Sequence, residues 1–181
     1  MERLLGDGRI MVPTSTATGG LNTTGDTYPE HPTGTWVQNY KDGKAYVYVY
    51  NSSGSALVAG TAYCVQAQES SASDGYKKNF QIMAIADQAG SESLAATPTT
   101  ALGATKYGWA QFRGDQTALL LNTSETRAAG VSISVTGGKF ASLAAAEPGA
   151  VASVCALVRV ANTAASSTAN VYLTGNWIAQ L

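Results

Sequence analysis

The chain has a single histidine, His31, and two cysteines, Cys64 and Cys155, as its candidates for base or nucleophile chemistry. His31 sits between Glu30 and Pro32 in a stretch rich in Gly, Pro, Ser and Thr. A Ser-His-Asp or Cys-His system would therefore carry its base on a segment with no rigid support. The paired histidines of a His-Glu-x-x-His zinc motif are impossible with one histidine. Both cysteines lie inside apolar, strand-like runs, so two buried free thiols are the default reading, with a disulfide as the lesser alternative. A metal centre needs more ligands than two thiols. Gly43-Lys44 and Gly138-Lys139 lack the upstream glycine and the following Ser/Thr of a phosphate-binding loop, and no dinucleotide fingerprint occurs. Asp42, Asp74, Asp87 and Asp115 stand beside turn residues, where aspartate serves the backbone. A structural cation on these loops is the weaker alternative, because no calcium-loop spacing is present. The expectation is a protein that is not an enzyme, with no cofactor and no metal.

The elements that would position any such residue are β-strands. Of the 181 residues, 45% are hydrophobic and only 13% are charged, against about 25% in an ordinary soluble domain. So few charges suggest that part of the surface is covered by a partner. Nineteen glycines among many Ala, Ser and Thr favour short strands joined by turns. Eleven basic against twelve acidic residues leave no electrostatic footprint for nucleic acid or an anionic membrane. No stretch approaches the roughly 20 apolar residues of a membrane-spanning helix, and the first residues lack the apolar run of a signal peptide. Synthesis in a cytoplasm is the expectation. The Asn-x-Ser/Thr sites at Asn22, Asn51 and Asn122 carry no weight without a sign of secretion.

Residues 1–35 read as an extended N-terminal arm. Gly6, Gly8, Pro13, Gly19, Gly20, Gly25, Pro29, Pro32 and Gly34 interrupt any period, and the apolar residues are sparse: Leu4, Leu5, Ile10, Met11, Val12, Leu21 and Tyr28. Ordering costs about 1 to 2 kcal/mol per residue while a buried anchor returns about 1.5 to 3, so the arm needs a partner to become ordered. Fully extended, it reaches roughly 110 Å at about 3.3 Å per residue, enough to cross a neighbouring subunit.

Residues 36–181 read as one mainly β domain, a compact antiparallel β-barrel or β-sandwich. Trp36 to Tyr50 is expected to form a hairpin around a type I′ turn at Asp42-Gly43. Its returning strand alternates Val47 and Val49 with Tyr46, Tyr48 and Tyr50, so both faces need cover. These three tyrosines are either a half-buried sheet face or a subunit interface. Further strands are expected at 56–68 and 80–86, with 87–104 as a connector or insertion carrying at most one helical turn. The later strands are expected at 107–113, 117–122, 131–136, 139–143, 150–161 and 169–180, with Gly137-Gly138 as a hairpin turn. On 107–113, Tyr107, Trp109 and Gln111 share one face and Ala110 and Phe112 the other, while Gly108 admits a close neighbour. No 20-to-50-residue repeat is evident.

Two segments carry a family resemblance. Lys41 to Tyr50 with Leu57-Val58-Ala59-Gly60-Thr61 resembles the opening hairpin of the head decoration, or cement, proteins of tailed bacteriophages. Tyr107-Gly108-Trp109-Ala110-Gln111-Phe112-Arg113-Gly114 resembles their Tyr-Gly-Trp strand. Ala129-Gly130-Val131, Ala156 to Val160 and Val171 to Gly175 follow as their turn and later strands. The long arm and the 87–104 segment depart from the simplest members. The resemblance implies a non-catalytic virion protein on the outer capsid surface. There it would bridge neighbouring copies of the major capsid protein and associate with itself as a trimer, or alternatively a dimer. The arm residues Leu4, Leu5, Ile10, Met11, Val12, Leu21 and Tyr28 would then be the capsid contacts, and Tyr46, Tyr48 and Tyr50 a subunit interface. The rival readings are another virion component, such as a head-fibre base, tail or adhesin protein, and a carbohydrate-binding β-sandwich.

Overall fold

A computed structural model describes residues 25, 28–67, 80–84, 93–136, 139–142 and 154–178. The anchor positions Leu4 to Leu21, and Asp74 and Asp87, lie outside the described residues.

Alternation in the sequence becomes two-sided burial in the first strands. β1 (Trp36–Asn39) and β2 (Lys44–Asn51) form the expected hairpin, in the register Trp36↔Val47 to Asn39↔Lys44. The turn differs from the expected type I′. Four residues, 40–43, separate the strands, and of the Asp42-Gly43 pair only Gly43 has a positive φ, +70°. The Gly43 N–H reaches back to the Asn39 carbonyl at 3.0 Å. The side chains of Asn39 and Asp42 accept from the N–H groups of Lys41 and Lys44. These Asx-type bonds satisfy a wider loop than a two-residue turn allows.

β3 (Tyr63–Ala67), β4 (Phe80–Met83) and β5 (Ser93–Pro98) follow, and then β6 (Tyr107–Glu125). Hydrogen bonding runs β2–β4–β3–β5–β6 and closes from β6 back to β2, giving a five-stranded β-barrel. Each of its pairings is antiparallel except β2 with β4, which is parallel. The 87–104 stretch expected as a connector thus contributes a barrel strand. Leu94 and Ala96 face the lumen while Ala95 faces outward into a second core. Alanine is small enough to be covered on either face, so 93–98 shows neither the β-branched enrichment nor the polar alternation that marks a strand in sequence.

The lumen is filled by Val47, Val49, Leu57, Tyr63, Val65, Ile82, Leu94, Ala96, Leu102 and Ala110. It is a packed core, as expected of so small a barrel.

β6 runs 19 residues, joining the two strands expected at 107–113 and 117–122. At the standard rise it is about 60 Å long, too long for one barrel wall. Gly114 turns it with φ +96°, where a Cβ would lie 3.0 Å from the Gly43 oxygen and Lys44 Cα. Further on, Thr117 and Ala118 bulge opposite Asn170, and the Ala118 N–H is taken by Asn170 Oδ1 at 2.9 Å. A bend and a bulge carry the strand out of the barrel and into a second sheet.

That sheet adds β7 (Ser132–Thr136), β8 (Lys139–Ser142), β9 (Val154–Val160) and β10 (Ser166–Thr174), in the order β6–β10–β9–β7–β8. It curls until β8 meets β6 again, through Thr123 Oγ1 donating to the Phe140 carbonyl at 2.7 Å and the Ser142 N–H to Glu125 Oε2 at 3.1 Å. Its core includes Leu119, Leu121, Ile133, Phe140, Val158, Val171 and Leu173, and is closed by Cys64 and Ala95 from the barrel's outer face. β11 (Trp177–Ile178) returns to pair with β5. The described residues contain no helix.

Candidate functional site: the strap, the aromatic face and two depressions

The barrel's other flank is built by outward residues of β2 and β6. Tyr46, Tyr48, Tyr107 and Trp109 form a buried cluster with Val37, and Tyr50 packs at its edge. Tyr48 lies 5.2 Å from Trp109 and 6.4 Å from Tyr107, and Tyr50 lies 4.9 Å from Tyr107, all between ring centroids. Such separations suit aromatic pairs, which gain from edge and offset contacts. The expected division of faces on both strands is the one observed.

The chain itself covers this flank. Residues 28–35 lie across it as a strap: the Glu30 N–H donates to Tyr48 Oη at 3.2 Å, and Gly34 N–H and Thr35 O bond the Tyr48 backbone, each at 2.8 Å. The His31 ring packs 5.3 Å from Tyr48, nearly perpendicular to it, and 5.4 Å from Trp109. Gly34 adopts φ +87° with the Phe80 ring where its Cβ would be, so the crossing requires glycine. Tyr48 is thus wholly buried under the chain's own residues, Tyr46 is buried, and Tyr50 is half-buried. Of these interface candidates, Tyr48 stands beneath the strap, Tyr46 borders a polar depression beside the hairpin tip, and Tyr50 lies at the cluster's edge. Exposed aromatic surface lies instead at Tyr28 (82%), Trp36 (62%) and Tyr40 (83%), on the strap, on β1 and at the hairpin tip.

Two depressions flank these features. One, of about 370 Å³, lies between Trp36, Gly34, Phe80, Leu94, Phe112 and Gly175. It adjoins β1, which among the described residues is an edge strand paired with β2 alone. The other, of about 470 Å³, opens beside the hairpin tip and is polar. Its floor is one row across three strands, Tyr46 on β2, Gln111 on β6 and Thr97 on β5, which are successive cross-strand neighbours. Gln111 Nε2 is held by the carbonyls of Arg113, Gly114 and Asp115 at 3.1 to 3.3 Å. Burial, and next the Asp42 carboxylate, raise the pKa of the Tyr46 phenol, so it stays a donor at neutral pH.

The other residues with chemical potential have structural surroundings. Cys64 and Cys155 are thiols, not a disulfide, and are buried in the second core. Cys155 Sγ contacts the Ile133 carbonyl at 3.3 Å, and burial, with Cys64 nearby, raises its pKa far above an ordinary thiol's. Asp42 caps the hairpin turn, and Asp115 pairs at the surface with Arg159 at 3.3 Å. Among the described residues, no three His, Cys, Asp or Glu side chains cluster as metal ligands.

Two buried polar hubs were not expected from sequence. Asn51 is fully buried; its Nδ2 lies 2.9 to 3.0 Å from the carbonyls of Ser55, Leu102 and Gly103, while Oδ1 accepts from the Ser53 N–H and hydroxyl. Arg127, 1% exposed, donates to the carbonyls of Thr123, Glu125 and Ser166 and to Thr123 Oγ1, with Glu125 Oε2 3.7 Å from its Nε. Burial of Glu125 works against its charge, but the hydrogen bond from the Ser142 N–H and the Arg127 guanidinium act the other way, and the carboxyl pKa is lowered. Part of each hub is local, but the carbonyls of Leu102 and Gly103 around Asn51 and of Ser166 at Arg127 are remote in sequence, and only they reveal the enclosure.

No protein-family model, no curated protein and no solved structure matches the chain.

Proposed function

We propose that the protein is a phage capsid decoration, or cement, protein that binds the outer surface of the capsid lattice and bridges neighbouring major capsid protein subunits. In this reading the barrel is the body, and the segment upstream of the strap is the tie, with Leu4, Leu5, Ile10, Met11, Val12 and Leu21 as anchors. Association with itself as a trimer would place several such ties around one capsid position.

The observation that carries the reading is the strap. An irregular segment without strand pairing of its own is held to the barrel by two hydrogen bonds to the Tyr48 backbone, by the Glu30 N–H donating to the Tyr48 hydroxyl and by His31 on the aromatic face. In this reading the arm leaves from this anchored strap, beside exposed Tyr28 and Trp36. An arm so anchored needs less additional ordering on binding than one leaving a loose terminus. The low charge and the Tyr-Gly-Trp strand, whose faces are both buried, add support.

Deleting residues 1–24 tests it, because the strap and barrel are retained. The truncated protein is expected to keep its β-type circular dichroism and to lose binding to expanded heads assembled without this protein. Binding equal to that of the full chain would remove the arm from the mechanism. Virions are expected to carry hundreds of copies if the protein coats a shell, on the scale of capsid subunits; a handful per particle would favour a fibre or tail component.

A further inference from the structure

We propose that the polar cleft beside the hairpin tip is a binding site for a neutral, hydroxyl-rich ligand, a saccharide ring. Its volume of about 470 Å³ falls within the range of small-molecule sites, roughly 300 to 1,000 Å³. Outward positions on a barrel are ordinarily either polar and exposed or apolar and covered. Here Tyr46, Gln111 and Thr97 are polar and at least nine-tenths buried, side by side on three adjacent strands.

One of the three is left unsatisfied. Thr97 lines the cleft, is 2% exposed, and its Oγ1 has no hydrogen-bond partner. A buried hydroxyl without a partner costs stability, so its presence calls for an explanation. The oxygen has no solvent contact although the residue borders the cleft. A rotation of about 120° about χ1 would carry the hydroxyl to another staggered position, from which it could reach a ligand in the cleft.

The rim argues for a neutral ligand. Asp42 and Lys44 contribute one charge of each sign, and the remaining polar groups are hydroxyls and amides: Thr97, Thr99, Gln111 and Gln116. Neither a phosphate nor a metal ion would find a charge surplus there. A sugar hydroxyl, which both donates and accepts, matches the protonated Tyr46 phenol and the Thr97 hydroxyl equally well. The site is independent of the docking reading, since removal of residues 1–24 leaves every group of it in place.

The test is amide chemical-shift titration of the full-length, ¹⁵N-labelled protein with the methyl glycosides of glucose, galactose, mannose and N-acetylglucosamine at millimolar concentrations. At least one glycoside is expected to give saturable shifts confined to residues 42–46, 97–99 and 111–116. Thr97→Ser should retain them, and Thr97→Val should weaken binding by about tenfold, the loss of one hydrogen bond to the ligand. Without ligand, Thr97→Val should melt at an unchanged or higher temperature. The idea is overturned if no glycoside gives saturable shifts there, or if Thr97→Val binds as the parent does. It also falls if that variant melts lower, since the hydroxyl would then already have a partner, or if sulfate saturates the site in place of the sugars. A parallel arm with polymeric glycans separates the sources: tighter binding than to the methyl glycosides assigns the site to a surface polysaccharide, equal binding to a free sugar.

Discussion

Replacing Asn51 by aspartate changes an amide nitrogen into an oxygen and leaves the shape of the side chain intact. In the native protein that nitrogen faces three carbonyl oxygens, of Ser55, Leu102 and Gly103, at 2.9 to 3.0 Å, in a fully buried position. The substitution removes the two N–H donors that serve these three carbonyls, each donated bond with a net contribution of about 0.5 to 1.5 kcal/mol, and sets a carboxyl oxygen against acceptors. A loss of about 4 kcal/mol is expected at neutral pH, a large share of the 5 to 15 kcal/mol that holds a typical domain. The melting temperature should fall by roughly 8 to 16 °C, at about 2 to 4 °C per kcal/mol for a chain of this size. The loss should also depend on pH. Burial among carbonyls raises the new carboxyl's folded pKa above the unfolded value of about 3.9, so the folded state binds the proton more tightly. Stability relative to the parent is therefore best retained below about pH 4, where the protonated group can still donate one bond, and declines as pH rises through the folded pKa. Calorimetric melts of parent and variant side by side, from pH 3.5 to 8, measure this. A difference under about 3 °C at pH 7, below that of a single kcal/mol, or a difference that does not change with pH, would refute the hub role.

Arg127→Met removes a buried guanidinium that closes the loops after β6 and before β10, and it leaves the carbonyls of Thr123 and Ser166 without their donors. A loss of about 3 to 5 kcal/mol in a urea titration is expected, and a loss below about 1 would show that those carbonyls find other partners. Ala118→Gly should stabilise by roughly 0.5 to 1 kcal/mol, because Ala118 is exposed at φ 51° on the bulge, a backbone conformation that costs alanine more than glycine. Destabilisation in the same titration would count against strain at that position. Cys64 and Cys155 should resist a thiol-specific chromogenic reagent in the native protein and react together on unfolding, since burial keeps Cys155 protonated. Rapid native labelling at either would place it outside the second core.

What could be read in advance was local periodicity. The alternation of Ala45 to Tyr50 and of Tyr107 to Phe112 divided the side chains into two faces correctly, because every second side chain on a strand obeys the same geometry. β5 escaped notice because its identity comes from its partner strands, β3 upstream and β6 downstream, not from its own alanines. The strand break expected at Gly114 was a bend, since the Gly43–Lys44 backbone, remote in sequence, is what presses on that glycine. Thr97, Asn51 and Arg127 shared this limit. Each is an ordinary polar residue until distant loops enclose it, and the type of a residue does not encode its enclosure. The strap was half legible: its glycines and prolines excluded regular structure, while its fit to Tyr48 and Trp109 depended on the barrel being closed beneath it.

The barrel strands β2 to β5 and the first half of β6 all fall within residues 44–113, an uninterrupted piece of the chain. On a ribosome this piece emerges whole before β7 to β10 have been made, and domains fold as units during synthesis. The barrel can thus close early, leaving the far half of β6 as an overhanging template with its partner strand still to come. β10 then pairs along it, and β11 returns last to β5. Such an order gives the short strand Trp177-Ile178 the position of a clasp, fastened only once the second sheet is in place.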